Sequence, residues 1–495
     1  MMRHLKSLRE YIDALKEIGE IQEINKEVDW NLEIGAIIRR SYDLKAPAPL
    51  FNSIKEIEKG FRVLGAPAGV SRQPGLYLCR VALSLGLSPY ATGQEIIEAL
   101  AQAHKKTPIP PKLVKSGPCK ENVLLGDQVD LLRLPAPLIH GWDGGRYLNT
   151  FGMIVAQTPD RKWTNWSIAR IMVLDKNRMT GIVSPKQHLG QIHAMWKALN
   201  KPMPFALALG CEPVIPFVSG MPIPAYMNES DFIGAYLGEP IEVVQCETVD
   251  LHVPATAEII VEGTLSDTET APEGPMGEYD GYSWPGMSTN KPVYNVSAIT
   301  YRNNPILPVV AAGEPVEEDH TAFGLPHAAQ ALHELREHNL PVTTSYMPLE
   351  SACHWLVLGM DKDWRKKTNF NSQDLIQTIG KILFKSHVGF GIPKVLVMED
   401  DVDPTNTSEV VWAFATRCHP ATGEIHFPME DMVPLPVFLR IQEKKGLMST
   451  KAIYNCLSQD EWSSEQRPVR ASFQGLWPKE IQERVLNNWN TYGYN

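Results

Sequence analysis

The sequence predicts a multidomain protein of mixed α/β (α+β) class. Its 495 residues exceed what one ordinary core holds, because domains average on the order of 150 residues. The apolar periodicity also changes twice: helices and strands alternate at first, short strands separated by turns dominate the middle, and strand–helix alternation then returns. We therefore predict an N-terminal α/β domain (1–115), a β-rich central domain (116–312) and a C-terminal α/β domain with a terminal helix (313–495).

In the N-terminal domain, apolar residues from Leu5 to Ile18 recur at helical spacing and stop at Gly19, so the first helix is expected to end there. A later helix is expected to be capped from Asn31. The other predicted elements are a strand at Ile21–Ile24, a helix at Leu32–Tyr42, short apolar elements at Val63–Leu64 and Leu76–Leu78, and a helix at Gln94–His104. Four prolines then keep Lys105–Cys119 extended and mark the domain boundary.

The central domain is predicted to be a barrel or a sandwich, because it shows many short strands and few helices. Its predicted strands are Gly152–Gln157, Trp163–Val173, Ile241–Asp250, Ala257–Leu265 and Val293–Tyr301. The predicted C-terminal elements are helices at Ala328–Glu337, Asp374–Lys385 and Ser408–Thr416 and strands at Trp355–Met360 and Lys394–Met398. The tail at Lys479–Trp489 has helical periodicity without an evident partner in a compact domain, which suggests a subunit contact.

Composition and charge exclude several classes of protein. The net charge of −10 is spread along the chain without a basic cluster, which argues against nucleic acid binding. Seven cysteines, odd in number and without a Cys-x-x-Cys pair, indicate free thiols and favour a cytoplasmic location. No apolar run approaches the ~18 residues of a membrane span, and the N-terminal residues lack the apolar core of a signal peptide.

The stretch Thr270–Tyr282 carries two carboxylates, Glu273 and Glu278, among glycines and prolines that exclude a helix interior. We therefore predict an irregular loop that can aim both acids into one cavity. Two carboxylates in one cavity repel each other, so one is expected to keep a proton and act as a donor beside a charged neighbour. By itself, such a pattern is more often a solvated Gly/Pro loop.

The run WTNWSIAR (163–170) ends in a single arginine, Arg170. Alone, it is more typical of a packed strand with a surface arginine. Beside paired carboxylates, a guanidinium group would keep one of them ionised and would bind an anionic substrate through bidentate hydrogen bonds. Arg170, Glu273 and Glu278 together therefore predict a site for a carboxylate substrate that receives a proton.

Eight short runs follow one another in an order that is typical of a known enzyme family. They are GPCKEN (117–122), LPAPLIH (134–140), WTNWSIAR (163–170), SPKQH (184–188), MPIP (221–224) followed by Glu229, PEGPMGE (272–278), TYRNNPILP (300–308) and VVWAFATRCHP (410–420). In these runs the chain resembles the UbiD family of decarboxylases, in particular its ferulic or cinnamic acid and heteroaromatic acid decarboxylases. The resemblance covers most of the chain.

This resemblance implies that the central domain is a split β-barrel that binds prenylated flavin mononucleotide (prenylated FMN). Such a cofactor accepts the electrons that are left when CO2 departs from an unsaturated carbon, which no side chain can do. It implies a non-oxidative decarboxylase, a carboxy-lyase, acting on α,β-unsaturated or (hetero)aromatic carboxylic acids through substrate–cofactor cycloaddition. Carried over by motif position, Glu278 supplies the proton that replaces CO2, Arg170 orients the carboxylate, and Glu273 hydrogen-bonds to Arg170.

The same resemblance implies two cation sites. Asn165, His188 and Glu229 are implied as ligands of a divalent cation that also binds the cofactor phosphate, and their chemistry suits Mn2+ or Mg2+. A potassium ion (K+) is implied near Trp166 and Ser219–Met221, with help from Glu229. The implied cofactor-binding residues are Asn165, Trp166, Ser167, Ile168, Ala169, Arg170, Gln187, His188, Ser219, Gly220, Met221, Glu229 and His387.

The substrate pocket is the least constrained part of the prediction. Residues that fall where the family shapes its pocket are Tyr279, Asp319, Leu435 and Val437. Asp319 offers a polar group to a ring nitrogen or hydroxyl, or it caps a helix beside Glu317 and Glu318. Some family members place a lysine against the cofactor phosphate in the loop that matches 385–389, and whether His387 or Lys385 makes that contact stays open.

Two other functions are compatible with the sequence. A split barrel also binds ordinary FMN in flavin-dependent reductases, and a non-catalytic cofactor carrier or assembly protein would need no proton donor. The expected partners are a small carboxylic acid as substrate, a flavin prenyltransferase as cofactor supplier and a second copy of the chain in a homodimer, with no nucleic acid and no membrane.

Overall fold

The computed structural model describes residues 4–463 and 465–494. The N-terminal elements are α1 (Leu8–Glu17), β1 (Ile21–Ile24), α2 (Glu33–Asp43), β2 (Ala48–Phe51), β3 (Arg62–Gly65), α3 (Cys79–Ser84), α4 (Gly93–Ala103) and β4 (Lys112–Leu113). The central elements are β5 (Asn122–Leu125), β6 (Tyr147–Asn149), β7 (Met153–Gln157), β8 (Thr164–Ser167), β9 (Ile171–Val173), β10 (Arg178–Gly181), α5 (His188–Ala198), β11 (Met203–Leu209), α6 (Val214–Ser219), α7 (Glu229–Leu237), β12 (Glu242–Gln245), β13 (His252–Pro254), β14 (Ile259–Glu273), β15 (Thr289–Tyr301) and β16 (Ile306–Val309). The C-terminal elements are α8 (Gly324–Glu337), β17 (Val342–Tyr346), β18 (Trp355–Met360), α9 (Trp364–Thr368), α10 (Ser372–Lys385), β19 (Lys394–Glu399), α11 (Thr407–Arg417), β20 (Glu424–Asp431), α12 (Ile441–Gly446), β21 (Met448–Asn455), α13 (Phe473–Leu476) and α14 (Lys479–Asn487).

The N-terminal elements confirm most of the predicted helices and strands. Helix α1 buries its apolar face, is capped by Ser7 and is followed by Gly19 at φ 73°. The predicted cap of α2 was wrong: Leu32 precedes the helix at φ 71° without a side-chain cap, and the Asn31 backbone N–H donates to the Asp29 side chain. The segment 76–78 forms no strand, and α3 directly after it was not predicted.

The central sheet runs in the order β6-β9-β10-β15-β14-β11-β7-β8, with β5 beside β15, and all its pairings are antiparallel. It curls into a half-barrel, which confirms the predicted split-barrel fold. Two predictions were wrong in detail. The predicted strand Trp163–Val173 is interrupted at 168–170, and the predicted Ile241–Asp250 strand is only four residues long.

The stretch Thr270–Tyr282 is only partly an irregular loop. Strand β14 continues through Glu273 and pairs with β15 at Glu273–Thr289 after an irregularity between Leu265 and Thr270. The prediction of a loop was therefore wrong for 270–273, where the long strand β15 supplies a partner for the backbone. The residues between the two strands carry Glu278.

The sheets link segments that are distant in sequence. Strand β16 pairs in parallel with β3 and completes the sheet β1-β2-β3-β16, while β4 joins β12 and β13. The C-terminal sheet has the order β17-β18-β19-β21-β20. One apolar cluster contains buried residues of all three segments, from Ala68 through Met153 to Ile453. The domain limits at about 115 and 312 remain a prediction, since the sheets and core cross them.

The C-terminal tail exposes large apolar side chains. Helix α14 has no buried residue, and Leu486, Trp489 and Tyr492 expose 62%, 41% and 54% of their surface. Within the described residues, no helix is both long and apolar enough to cross a membrane. All seven cysteines are free thiols.

Candidate active site

A cavity of about 380 Å³ is formed by residues of the half-barrel and of the C-terminal segment. Its wall contains most of the residues that the sequence singled out: Asn165, Ser167, Ile168, Ala169, Arg170, Gln187, His188, Ser219, Gly220, Met221, Glu229, Glu278, Tyr279, Asp319, His387 and Leu435. Three residues are not in the wall. Trp166 is buried in the core, Glu273 is buried behind Arg170, and Val437 is 43% exposed.

Arg170 enters the cavity because the strand ends there. The backbone leaves the sheet after β8 and returns at β9, and the carbonyl of Ala169 accepts a hydrogen bond of 2.7 Å from the Asn149 side chain. Asn149 is itself fully buried. This interruption frees the residues 168–170 from the ladder, so their side chains can line the cavity.

Glu273 holds the guanidinium group from behind. Arg170 Nε and Nη2 donate to Glu273 Oε1 and Oε2 over 2.8 and 3.1 Å, and the Tyr147 hydroxyl donates to Glu273 Oε1 over 2.9 Å. Both Glu273 and Tyr147 are buried. Charge-assisted bidentate bonds of this kind fix the orientation of an arginine.

Glu278 contacts the same guanidinium from the cavity side, through Arg170 Nη1. Its loop is anchored by the Gly277 N–H, which donates to Asp143 Oδ1 over 3.1 Å. A Cβ at Gly277 would lie 2.8 Å from the His140 ring, so only glycine allows this close packing. Glu278 is therefore held beside Arg170 by its own loop.

The three side chains form one charged network. Burial alone would lower the pKa of Arg170, but the carboxylates of Glu278 and Glu273 outweigh it and raise that pKa. From the sequence, we expected the two acids to repel each other. In the structure each carboxylate bonds to the same cation, which offsets that repulsion.

The implied divalent-cation ligands lie at one end of the cavity. Asn165 Nδ2 donates to Glu229 Oε1, and the Trp166 N–H donates to Glu229 Oε2, both over 2.8 Å. Burial raises the pKa of Glu229 to about 8. Burial, with a contribution from His387, lowers the pKa of His188 to about 3, so its ring is neutral. A neutral imidazole, an amide oxygen and a carboxylate are suitable ligands for Mn2+ or Mg2+.

Two further features of this end suit a bound anion and cation. Helices α5 and α7 begin there, at His188 and Glu229, and helix N-termini attract phosphate. The buried hydroxyls of Ser184 and Ser219 line the cavity without a hydrogen-bond partner among the described residues. Among the described residues, no group of three or more His, Cys, Asp or Glu side chains has a geometry that could hold a metal ion. The implied site therefore depends on the amide of Asn165 as a ligand.

The C-terminal segment contributes His387 to this end. The His387 ring stacks on the His188 ring with centroids 4.3 Å apart and planes 11° apart. Burial lowers the pKa of His387. Lys385 instead pairs with Glu430 at 2.9 Å and its side chain is 71% exposed. Of the two alternatives that the sequence left open, His387 lies in the cavity wall and Lys385 does not.

Tyr279, which directly follows Glu278, and Asp319 also lie in the cavity wall. The Tyr279 ring lies 5.9 Å from that of Phe323 and 6.4 Å from that of His354, between centroids. Asp319 begins a short π-helical turn, 319–323, that leads into α8. The helix-cap alternative for Asp319 was wrong, because Glu318 precedes the turn and no side chain caps it, whereas Asp319 does line the cavity.

Several residues of the site were not predicted from the sequence. Tyr147 supports Glu273, Asp143 and His140 support Gly277, and Phe390 lines the cavity. His140 ends the run LPAPLIH, which carries the family resemblance but no chemical signal of its own. Tyr147 gave no signal, because a tyrosine in an apolar strand is indistinguishable from a core residue before its partner is known.

Comparison with known proteins connects this geometry to a family. The family model for the N-terminal domain of 3-octaprenyl-4-hydroxybenzoate carboxy-lyase matches residues 12–100, the model for its Rift-related domain matches 112–315, and the model for its C-terminal domain matches 320–456. The pyrrole-2-carboxylic acid decarboxylase of Pseudomonas aeruginosa is 40% identical over 494 residues, covering 100% of this chain and 99% of the relative. The chain belongs to the UbiD family.

Other UbiD relatives are similar to this chain over nearly their full length. Ferulic acid decarboxylase 1 of Saccharomyces cerevisiae is 40% identical over 493 residues, covering 98% of each chain. The closed form of vanillic acid decarboxylase from Sedimentibacter hydroxybenzoicus superposes with a TM-score of 0.85 at 26% identity, covering 98% of this chain and 99% of that one. An evolved dimeric form of the UbiD-class enzyme HmfF from Pelotomaculum thermopropionicum, in complex with prenylated FMN, superposes with a TM-score of 0.76 at 25% identity, covering 94% and 97%. The protein is a UbiD-family decarboxylase.

Proposed function

We propose that this protein is a prenylated-FMN-dependent, non-oxidative decarboxylase of aromatic, heteroaromatic or α,β-unsaturated carboxylic acids. The observation that carries the proposal is Arg170, held by buried Glu273 on one side and by Glu278 at the cavity wall on the other. Replacement of CO2 by hydrogen requires a fixed cation that binds the carboxylate and, next to it, an acid that can hold a proton. The relatives named for ferulic and pyrrole-2-carboxylic acid decarboxylation support the substrate class.

When bound, prenylated FMN supplies the electron sink for the bond that CO2 leaves. The side chains of this protein do the rest. Arg170 binds the substrate carboxylate. Because Glu273 and Tyr147 fix the guanidinium group from behind, the carboxylate is held in one orientation. Glu278 then transfers a proton to the substrate carbon that has lost CO2, and its carboxylate stays bonded to Arg170.

The cavity wall favours a planar substrate with a polar edge. Tyr279, Phe323 and Phe390 provide aromatic surface, and Asp319 provides an acceptor for a ring N–H or hydroxyl group. Leu435 adds apolar surface from the C-terminal segment. These features favour an aromatic or heteroaromatic acid over a plain cinnamate.

We assign Asn165, His188 and Glu229 as ligands of Mn2+ or Mg2+, with the cofactor phosphate at the start of α5 and beside His387. The neutral His188 ring and the two uncapped helix starts support this assignment. Potassium would bind near Glu229, the Trp166 carbonyl and the Ser219–Met221 turn. The Ser219 hydroxyl, which has no hydrogen-bond partner among the described residues, is consistent with a further ligand there.

We also propose a homodimer, a cytoplasmic location and a flavin prenyltransferase as cofactor supplier. The exposed apolar face of the tail, with Leu476, Trp477 and Leu486, supports a subunit contact. The free cysteines support a reducing compartment.

The test is to express the protein with and without a flavin prenyltransferase, to identify the released small molecule by mass spectrometry, and to screen aromatic and acrylic acids for CO2. We expect prenylated FMN and CO2 release without nicotinamide oxidation. Nicotinamide oxidation without CO2 would instead support the flavin reductase. Bound prenylated FMN without CO2 release from any acid, in the wild type and in Glu278→Gln alike, would support the non-catalytic carrier.

A further inference from the structure

One lysine, Lys444, contacts both the loop that carries Glu278 and the C-terminal segment of the cavity wall. Its ammonium nitrogen lies 3.9 Å from the centroid of the Trp284 ring and donates to the Leu435 carbonyl over 3.2 Å. Trp284 is in the same β14–β15 loop as Glu278, and Glu278 and Leu435 both line the cavity. A single side chain thus joins two segments of the wall that are distant in sequence.

Lys444 is fixed on the C-terminal side, because its helix is held at both ends. Helix α12 leads from the wall residue Leu435 back to strand β21. The Glu443 carboxylate accepts from the Arg440 N–H over 2.8 Å and from the Ser449 hydroxyl over 2.9 Å. The lysine side chain therefore starts from a defined position relative to the C-terminal wall.

Trp284 directly follows a tight turn that contains Glu278. The Glu278 N–H donates to the Tyr282 carbonyl over 2.9 Å, and the Gly281 N–H donates to the Glu278 carbonyl over 3.0 Å. The Tyr282 N–H donates to Asp280 Oδ1 over 3.2 Å. Because these bonds make residues 278–282 one unit, a shift of the chain at Trp284 also shifts the backbone of Glu278.

The two ends of this turn are held in different ways. At its start, the Gly277 N–H is bonded to Asp143 of the central segment. Beyond its end, the Trp284 side chain is 37% exposed, and its ring contacts Lys444. The half-barrel therefore holds the first end of the turn, and Lys444 connects the second end to the C-terminal segment.

The charges around Lys444 suit this contact. Burial lowers the pKa of Lys444, and the negative charges of Asp280 and Glu278 act in the opposite direction. Both carboxylates belong to the turn that precedes Trp284. The ammonium group is thus attracted to this loop by the face of an aromatic ring and by two carboxylates.

The proposed reaction depends on where Glu278 lies. Its proton must reach the carbon that has lost CO2, and proton transfer requires heavy atoms about 2.6–3.2 Å apart. A misplacement of about 1 Å is enough to slow a reaction step by about 10²-fold. A contact that fixes the Glu278 loop therefore affects the rate without touching the substrate.

We propose that Lys444 is a positioning residue for decarboxylation, which holds the Glu278 loop against the C-terminal wall of the cavity through the Trp284 ring. The proton donor comes from the central segment and Leu435 from the C-terminal segment, and Lys444 fixes one relative to the other. This inference rests on the proposed function. Lys444 itself takes part in no covalent or proton-transfer step.

The first test uses the unloaded protein and needs neither cofactor nor substrate. In Lys444→Met, which keeps the length of the side chain but not its charge, amide hydrogen exchange in residues 278–288 should become about tenfold faster. Trp284→Leu should have the same effect. The matched control is Lys445→Met, because Lys445 carries the same charge on the same helix and is exposed. Its exchange in 278–288 should match that of the wild type.

The second test is a double-mutant cycle on the loaded enzyme. Lys444→Met and Trp284→Leu should each lower kcat by about tenfold. The double variant should lose little more than either single variant, because both changes remove the same contact. Lys444→Arg keeps a cation that can stack on the Trp284 ring, so it should recover most of the activity. Lys445→Met should retain the kcat of the wild type.

The outcomes separate this inference from the proposed function. Exchange in 278–288 that is unchanged in Lys444→Met, or that rises equally in Lys445→Met, would overturn the positioning role. Single losses of kcat that multiply in the double variant, or an unchanged kcat in Lys444→Met, would overturn it as well. If the wild type with prenylated FMN released no CO2 from any acid tested, the proposed function would fail and the positioning role with it. The exchange data would then still show whether Lys444 holds the loop.

Discussion

Replacing Glu273 by glutamine tests whether the buried half of the charged network stabilises the site. The change removes the negative charge that accepts two bonds from Arg170, at 2.8 and 3.1 Å, and one from Tyr147, at 2.9 Å. Removing one partner of a buried ion pair costs about 3–5 kcal/mol, because the other charge stays buried. Arg170 keeps Glu278, so we expect the lower end of this range, about 3 kcal/mol.

Calorimetry of the unloaded protein measures this effect. A loss of about 3 kcal/mol corresponds to a lowering of Tm by about 6–12 °C for a cooperative unit of 150–250 residues, such as the half-barrel. The matched control is Glu269→Gln on the same strand, whose partner Arg178 is exposed and also bonded to Asp175. Because exposed ion pairs contribute little, we expect almost no shift in Tm for the control.

The same variant also changes the proposed chemistry. Without the Glu273 carboxylate, Arg170 loses its bidentate partner and is less well oriented towards the substrate and Glu278. We expect kcat to fall by about 10²-fold or more. A Tm shift for Glu273→Gln no larger than that of Glu269→Gln, together with unchanged kcat, would refute the reasoning.

Three further predictions concern the proton donor, the cation site and a buried lysine. Glu278→Gln keeps an oxygen for Arg170 but has no proton to give, so kcat should fall by about 10²–10⁴-fold with flavin content unchanged, and retained turnover would remove Glu278 from this role. His188→Ala should lose bound manganese, measured by elemental analysis. The control His193→Gln lies on the same helix and should keep manganese, because His193 contacts the Ser266 carbonyl instead. Equal manganese content in the two variants would contradict the ligand assignment. Burial lowers the pKa of Lys451 from 10.5 to about 7, so the unfolded chain binds more protons and stability should rise between about pH 7 and 10.5, by at most about 1.4 kcal/mol per pH unit. Lys451→Met should abolish that rise in chemical denaturation, and an unchanged pH profile would show that Lys451 is charged in the folded protein.

Local patterns predicted the regular elements well. The apolar spacing before Gly19 gave α1, and the apolar runs at 355–360 and 394–398 gave β18 and β19 almost to the residue. These elements depend on which face is buried, and that information lies in a few neighbouring residues. Helices α6 and α7 were missed because they are largely buried, and a helix that is apolar on most sides has weak periodicity.

Two of the failures lie near the site, where distant segments determine local structure. Glu273 is in a strand because β15 pairs with it, although Pro272 and Gly274 suggest a loop. Residues 168–170 leave their strand although they read as part of it, and Asn149 bonds the carbonyl at the interruption. In both places long-range hydrogen bonds outweighed the local preference.

By itself, the sequence determined the class of the fold, the family and the chemical types at the site: one guanidinium, two carboxylates and an amide–imidazole–carboxylate set. These follow from residue identity and order along the chain. Only the tertiary structure decided that both carboxylates share Arg170, that Tyr147 supports Glu273, that His387 rather than Lys385 lines the cavity, and that Asp319 lines the same cavity as Glu278. The physical reason is that charge interactions and hydrogen bonds depend on distance in space, and residues 103 or 108 positions apart meet only when the sheet has curled around them.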